Sequence, residues 1–339
     1  MAYTTIDKPQ DYFNTVIYTG NGTTHAITGV GFQPDWVWMK SRDTSNSHDL
    51  EDGVRGAGIY LRSDVGNAEV NASGTFGITS FDSDGFTLTG DGGRTNVSGD
   101  DYTSWNWLGQ NGTSANSNGS ISSTVSANTT SGFSIVSWTH DGGNSTIGHG
   151  LGAVPQVVIT KERNNSGSWN SYFSAVGNGH RMVLQASDAK ISSSIWNSTT
   201  PTSTVFSMND SITSTMIAYC FAEKQGYSKF GSYEGNGSSD GAFVYTGFKP
   251  AWLMVKRYDS TGQWFMFDNK RLGYNSENHR LIADVSDSEA DPGQMELLSN
   301  GFKFRFTSSN VNGSGGDYLY MAFAENPFVS SSGVAGTAR

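Results

Sequence analysis

The chain has almost no cysteine. Cys220 is the only one in 339 residues, so no disulfide can form within the chain. It sits in the apolar run Ile217-Ala218-Tyr219-Cys220-Phe221, the setting of a buried structural thiol rather than a reactive one. Charge is also scarce, at 15% of residues, and lopsided: 21 Lys and Arg against 31 Asp and Glu give a net charge of −10. With no basic cluster, nucleic acid and anionic membrane are not expected partners. No apolar run approaches the roughly 18 residues of a membrane helix, so no membrane insertion is expected. Met1 to Asp11 holds no apolar stretch, so no secretion signal is expected there. Helical periodicity is nearly missing; only Ser187 to Trp196 and Ser286 to Glu289 read as helical turns.

What is present is repetition. Gly31-Phe-Gln-Pro-Asp-Trp-Val-Trp-Met-Lys40, Gly152-Ala-Val-Pro-Gln-Val-Val-Ile-Thr-Lys161 and Gly247-Phe-Lys-Pro-Ala-Trp-Leu-Met-Val-Lys256 are versions of one phrase. Each is a proline, a short apolar run, and a lysine six positions after the proline. Tyr18, Trp138 and Tyr233 precede Gly-rich turns upstream of the phrase, and aromatic runs ending at Trp107, Phe221 and Phe323 close each unit. A phrase used three times is an architectural device.

The short runs bounded by Gly, Asn and Asp predict an all-β chain of three tandem antiparallel β-sandwich, jelly-roll-like repeats. The expected divisions are an N-terminal arm (1–12), repeat one (13–109), an Asn/Gly/Ser/Thr linker (110–131), repeat two (132–228), repeat three (229–325) and a C-terminal arm (326–339). The linker composition predicts flexibility, and the two polar arms predict disorder until a neighbouring chain orders them. Apolar residues on both faces of the post-proline run predict a strand covered on both sides. The proline stands where its missing N–H does no harm. Asp84-Gly85 and Asn300-Gly301 predict two-residue hairpin turns.

No constellation for chemistry stands out. The six histidines show no metal-ligand spacing, and His140 and His149 read as solvated loop residues. Asp82-Ser83-Asp84-Gly85 opens like a calcium loop but lacks the downstream Glu. Glu51, Asp52 and Asp268 could serve glycoside hydrolysis as paired carboxylates. The plainer reading is that Asp52 with Arg55 and Asp268 with Arg271 are partly exposed pairs fixing a loop. Lys40, Lys161 and Lys256 are expected to keep their heads in water. No catalytic residue, metal or cofactor is therefore assigned. Trp169, Trp196 and Trp264 lie in the variable middle of the units. With Asn170, Asn197 and Asp268 they are the candidate glycan-binding residues, an indole face to stack on a sugar and polar groups to bond it.

Several stretches occur together in a recognisable order. They are Ala2-Tyr-Thr-Thr-Ile-Asp-Lys-Pro9, Tyr18-Thr-Gly-Asn-Gly-Thr23, Gly31 to Trp38, Ser47-His-Asp-Leu50, Gly53-Val-Arg-Gly56, Gly226-Tyr-Ser-Lys-Phe-Gly-Ser-Tyr233 and Thr337-Ala-Arg339. Together they resemble a repeated domain of unknown function found in virion proteins of marine tailed bacteriophages. The resemblance covers almost the whole chain; the linker and the middle of repeat two depart most. It implies a virion structural protein, a tail fibre or tail appendage exposed on the particle and assembled in the host cytoplasm. Its implied partners are other virion proteins and copies of itself, with a host-surface glycan as a further contact. The alternatives are a capsid decoration or knob protein and, from another class, a surface-polysaccharide depolymerase. The resemblance carries no catalytic residues to transfer.

Overall fold

A computed structural model describes residues 2–90, 92–271, 275 and 279–336. The three proline phrases become strands Trp36–Ser41, Val157–Glu162 and Phe248–Arg257. Each lies between a closing strand (Asp101–Trp107, Val205–Phe221, Asp317–Pro327) and a third strand (Asp49–Asp52, Asn170–Phe173, Trp264–Asp268), all antiparallel. The register repeats as well. Trp36 stands opposite Trp107 and Asp52, Val157 opposite Phe221 and Phe173, and Trp252 opposite Phe323 and Asp268. A first strand (Phe13–Thr19, Phe133–Gly148, Ser228–Glu234) flanks each closing strand, and a short fourth strand (Ile59–Leu61, His180–Val183, Leu281–Ile282) follows each third.

A second layer covers one face of each inner sheet. In units one and three it is a separate sheet of three strands: His25–Thr28, Gly85–Thr89 and Gly77–Asp82, then Phe243–Tyr245, Gly301–Phe304 and Met295–Leu298. In unit two the long strands Phe133–Gly148 and Val205–Phe221 run through both layers, with a bulge between Asp141 and Gly143. A bulge bends the strand it interrupts, which lets one ribbon serve two layers. The chain is therefore all-β, built from antiparallel sandwich layers; among the described residues the one helical element is the single turn Pro9–Asp11. Neither stretch read as a helical turn is helical: 187–196 holds the short strand Ile191–Ser192, and 286–289 runs without regular structure.

Alternation along the proline strand explains its double apolar pattern. Val37 and Met39 face the outer layer of unit one, Val158 that of unit two, and Leu253 and Val255 that of unit three. The opposite faces (Trp36 and Trp38, Val157 and Ile159, Trp252 and Met254) meet in one central cluster fed by all three units. Trp36 stacks on Tyr219 of unit two at 4.2 Å, and Trp107 meets Trp252 of unit three edge-on at 5.8 Å. Each unit thus has a core between its layers, and the three inner sheets share a larger one. A fully buried large apolar side chain contributes about 1.5–3 kcal/mol relative to exposure, so this cluster binds the units strongly.

Three expectations need correction. The stretch 110–131 is not a free linker: Ser114–Asn116 and Ser123–Asn128 form a hairpin on the edge of unit two. Val125 is buried in that unit's core, and the Asp35 carboxylate of unit one accepts the N–H groups of Gly109 and Asn111. Main-chain pairing holds this hairpin, so polar side chains concealed it. The N-terminal arm is also ordered. Ile6 enters the central cluster, the Tyr3 hydroxyl donates to Gly247 O at 2.8 Å, and Thr4 donates to Gln225 O at 2.8 Å. The C-terminal arm turns back to bridge Val329 with Ala335, and Ser331 N–H donates to Asp7 at 2.6 Å. Residues 337–339 of that arm lie outside the described residues. Finally, the hairpin turns fall one residue early, on Ser83-Asp84 and Ser299-Asn300. Gly85 and Gly301 are needed for another reason: a Cβ there would stand about 2 Å from Ile27 O and Val244 O on the adjoining strand.

Candidate functional site

The residues singled out for glycan contact are mostly structural. Trp169, Trp196 and Trp264 are buried, as are Asp268 and Asn170; only Asn197 is exposed. No indole face of the three is open to a sugar. Trp196 packs on Tyr172 inside unit two. Trp169 and Trp264 cross between units, and their positions explain why.

His48, Trp169 and Trp264 occupy one position, directly opposite the buried lysine of the phrase. His48 donates from Nε2 to Ile282 O at 2.9 Å, Trp169 from Nε1 to Arg62 O at 2.7 Å, and Trp264 from Nε1 to Val183 O at 3.2 Å. The three acceptors are again one position, the residue after the one paired with Leu50, Ser171 or Met266. Unit one therefore bonds unit three, unit two bonds unit one, and unit three bonds unit two. The His48 proton sits on Nε2, because Nδ1 accepts the Trp38 indole N–H at 2.8 Å.

A second set of contacts crosses the same three seams with the donors on the opposite sides. Glu69, Lys190 and Glu289 donate main-chain N–H groups to Arg163 O, Tyr258 O and Arg42 O at 2.7–2.9 Å. Their side chains pair too. Arg163 grips Glu69 and Arg42 grips Glu289, each through two hydrogen bonds of 2.8–3.0 Å. The remaining seam exchanges both partners, and Lys190 sits 5.2 Å over the Tyr258 ring. Two ion pairs and one cation–π contact thus fill three equivalent places.

The Asp–Arg pairs form a third set, and they are buried rather than partly exposed. Asp52 accepts from Arg55 at 2.6 Å and from the Tyr219 hydroxyl of unit two at 2.8 Å. Asp268 accepts from Arg271 at 2.8 Å and from the Trp105 indole of unit one at 2.9 Å. In unit two the aspartate position is Phe173, and the donor position on unit three is Met321, so acceptor and donor are absent together. Glu289 joins the third seam by accepting from Arg271 and His279 as well as Arg42. Burial pushes its carboxyl up, but its hydrogen bonds and the charges of Arg42 and Arg271 outweigh burial and hold it down at about 2.

The lysines are also interior. Lys40, Lys161 and Lys256 donate to the carbonyls of the next residue and of the turn that follows or adjoins it, such as Ser41 and Thr44 for Lys40. Burial lowers each to about 8. The ammonium ties off the end of the proline strand, and this role replaces the expected solvated head. His140 and His149 are buried and bonded to Asp210 O and Thr202 O, not solvated. Asp84 accepts from Gly29 and Gly31 N–H, an adequate structural role for the calcium-like turn. Among the described residues no group of three or more His, Cys, Asp or Glu is placed to hold a metal.

The surface breaks the threefold pattern in one conspicuous place. Ile27, Ile147 and Val244 are equivalent core residues of the outer layer, opposite Phe86, Phe206 and Phe302. Their neighbours are Ala26 and Thr28 in unit one, Thr146 and Gly148 in unit two, but Phe243 and Tyr245 in unit three. Phe243 is 46% and Tyr245 52% exposed. Beside Tyr245 lies a recess of about 280 Å³ lined by Tyr3, Glu223, Gln225, Lys229 and Gly247. A larger recess of about 330 Å³ between the arms has no aromatic wall, and its Lys249 and Glu325 pair at 3.1 Å. Asn170 and Asn197 line smaller recesses, also without aromatic residues apart from the interior. The sequence offered a signal for Phe243 and Tyr245, the three-way comparison of units carried into the outer strands.

The fold and its seams define a class: an all-β protein of three sandwich units closed in a cycle around one core. The chain belongs to the family described as a domain of unknown function, DUF7483, whose model matches residues 8–327. That span takes in all three units. No curated protein and no solved structure matches the chain.

Proposed function

We propose that the chain is a structural protein of a bacteriophage particle, a tail-fibre or tail-appendage component that meets other virion proteins and copies of itself. The observation behind this reading is the fate of the carboxylates that a polysaccharide-cutting rival would need. Asp52 and Asp268 are sealed into seams by Arg55 with Tyr219 and Arg271 with Trp105, where they hold units together, and Glu51 is buried and accepts the Gly58 and Ile78 N–H groups. The interior is spent on cohesion at every repeated position, which suits a rigid block that must keep its shape in an assembly. The motif resemblance supplies the phage context. The N-terminal arm docks where unit two passes into unit three, and the C-terminal arm docks on unit three and on the N-terminal arm.

The test is to raise antibodies to the purified protein and gold-label particles for electron microscopy, with peptide mass spectrometry of gradient-purified particles. Labelled tails and stoichiometric peptides are expected. Label on the capsid would favour the decoration alternative. Absence of the protein from particles, with activity on host polysaccharide, would overturn the reading.

A further inference from the structure

We propose that the recess between the N-terminal arm, the end of unit two and unit three binds an uncharged saccharide unit of a surface glycan. This deepens the attachment role within the function proposed above, at residues distinct from the buried tryptophans. The first argument is the broken symmetry. The outer strand folds with Ala26 and Thr28 in unit one and with Thr146 and Gly148 in unit two, so the fold does not require Phe243 and Tyr245. Tyr245 is the member of that exposed pair that lines the recess, and an exposed aromatic that the scaffold can do without marks a contact surface.

The second argument is hydrogen-bond supply. Tyr3 has one hydroxyl proton, and it goes to Gly247 O at 2.8 Å. In the 3.3 Å contact between the two tyrosines, Tyr245 is then the donor, and its own oxygen is left to accept from a ligand hydroxyl. Glu223 and Lys229, paired at 2.6 Å and both partly exposed, add an acceptor and a donor without net charge. Gln225 adds an amide. A recess with an aromatic wall, mixed donors and acceptors and no excess charge suits a hydroxyl-rich neutral ring. It does not suit a phosphate, sulfate or uronate, because Lys229 is already neutralised.

The experiment uses the full chain, with glucose, galactose, N-acetylglucosamine and their short oligomers as probes. Binding is read by saturation-transfer NMR and isothermal titration. At least one neutral sugar should bind at roughly millimolar strength, enough when many copies act together. Tyr245→Thr installs the residue unit one carries there, so the fold should persist; it should weaken binding at least tenfold with an unchanged melting temperature. Tyr245→Phe keeps the ring and should lose only a few-fold. No binding of any neutral sugar, or binding untouched by Tyr245→Thr, overturns the site. A particle-bound protein that binds no sugar would defeat this inference alone. A sugar-binding protein absent from particles would defeat the structural role and leave the site standing.

Discussion

Trp169 of unit two donates its indole N–H to the carbonyl of Arg62 in unit one at 2.7 Å. The bond is one of three at a single repeated position, and it turns a residue in a variable stretch into a fastening between units. Trp169→Phe keeps an aromatic ring but strands the Arg62 carbonyl away from water. A loss of about 1–3 kcal/mol is expected in urea unfolding. Trp169→Ala also leaves a cavity and should cost about 3–5 kcal/mol. Equal stability of wild type and Trp169→Phe would show that the bond contributes nothing.

The seam between Glu69 and Arg163 can be tested with the protein's own alternative. At the equivalent place Lys190 lies over Tyr258. Glu69→Lys alone sets like charges together and should destabilise by about 1–3 kcal/mol. Adding Arg163→Tyr recreates the other seam's pairing and should recover part of that loss, the remainder coming from Arg55, which faces residue 69 at 4.0 Å. A double variant no better than the sum of its singles would mean the seams are not interchangeable.

The repeats, the strand-and-turn class and the double-faced proline strand were all legible in sequence, because alternation and recurrence are local patterns. The partners of the second face were not. Trp36 reads as buried from its own strand, but nothing local says that Tyr219 of another unit covers it. Lys40 and Asp52 misled for a related reason. A charged side chain reads as solvated unless its partners are visible, and those partners are turn carbonyls and a tyrosine from unit two. The hairpin in 110–131 escaped notice because backbone pairing needs no apolar signature.

His48 makes acid a specific threat to the seam between units one and three. Burial, aided by the Lys40 charge, lowers its folded pKa from 6.5 to about 3. The folded state keeps His48 neutral while the unfolded chain takes up a proton below 6.5. Its contribution is therefore complete above pH 6.5 and is lost as pH falls toward 3, by about 5 kcal/mol at most. Glu289 acts the same way in a lower window, from 4.5 to about 2. His48→Gln cannot titrate, so the stability gap between wild type and variant should shift against wild type from pH 6.5 to 4. A gap that stays constant across that range would rule out His48 as the titrating group.

The N-terminal arm should matter to folding rather than serve only as a loose tether. Ile6 is buried in the central cluster, and Asp7 joins the C-terminal arm through Ser331. Ile6→Ala should cost about 2–5 kcal/mol. Removal of residues 1–8 should cost at least as much, seen as a lower urea midpoint. An arm that deletes without loss of stability would mean it docks too weakly to anchor anything.

The shared core makes a stronger demand on the units. A fragment of residues 13–109 would bare Trp36, Trp38, Trp105 and Trp107, which the whole chain buries against units two and three. It would also leave the Asp52–Arg55 pair without Tyr219. An apolar face of that size rarely stays in water. The fragment should therefore aggregate or self-associate, and the seam geometry favours a closed trimer, since each unit offers the two complementary surfaces that a head-to-tail ring needs. The substitution Trp36→Asp should abolish any such association. Size-exclusion chromatography with light scattering decides the matter: a folded, monomeric fragment at micromolar concentration would show that each sandwich is self-sufficient and that the central cluster is only packing added afterwards.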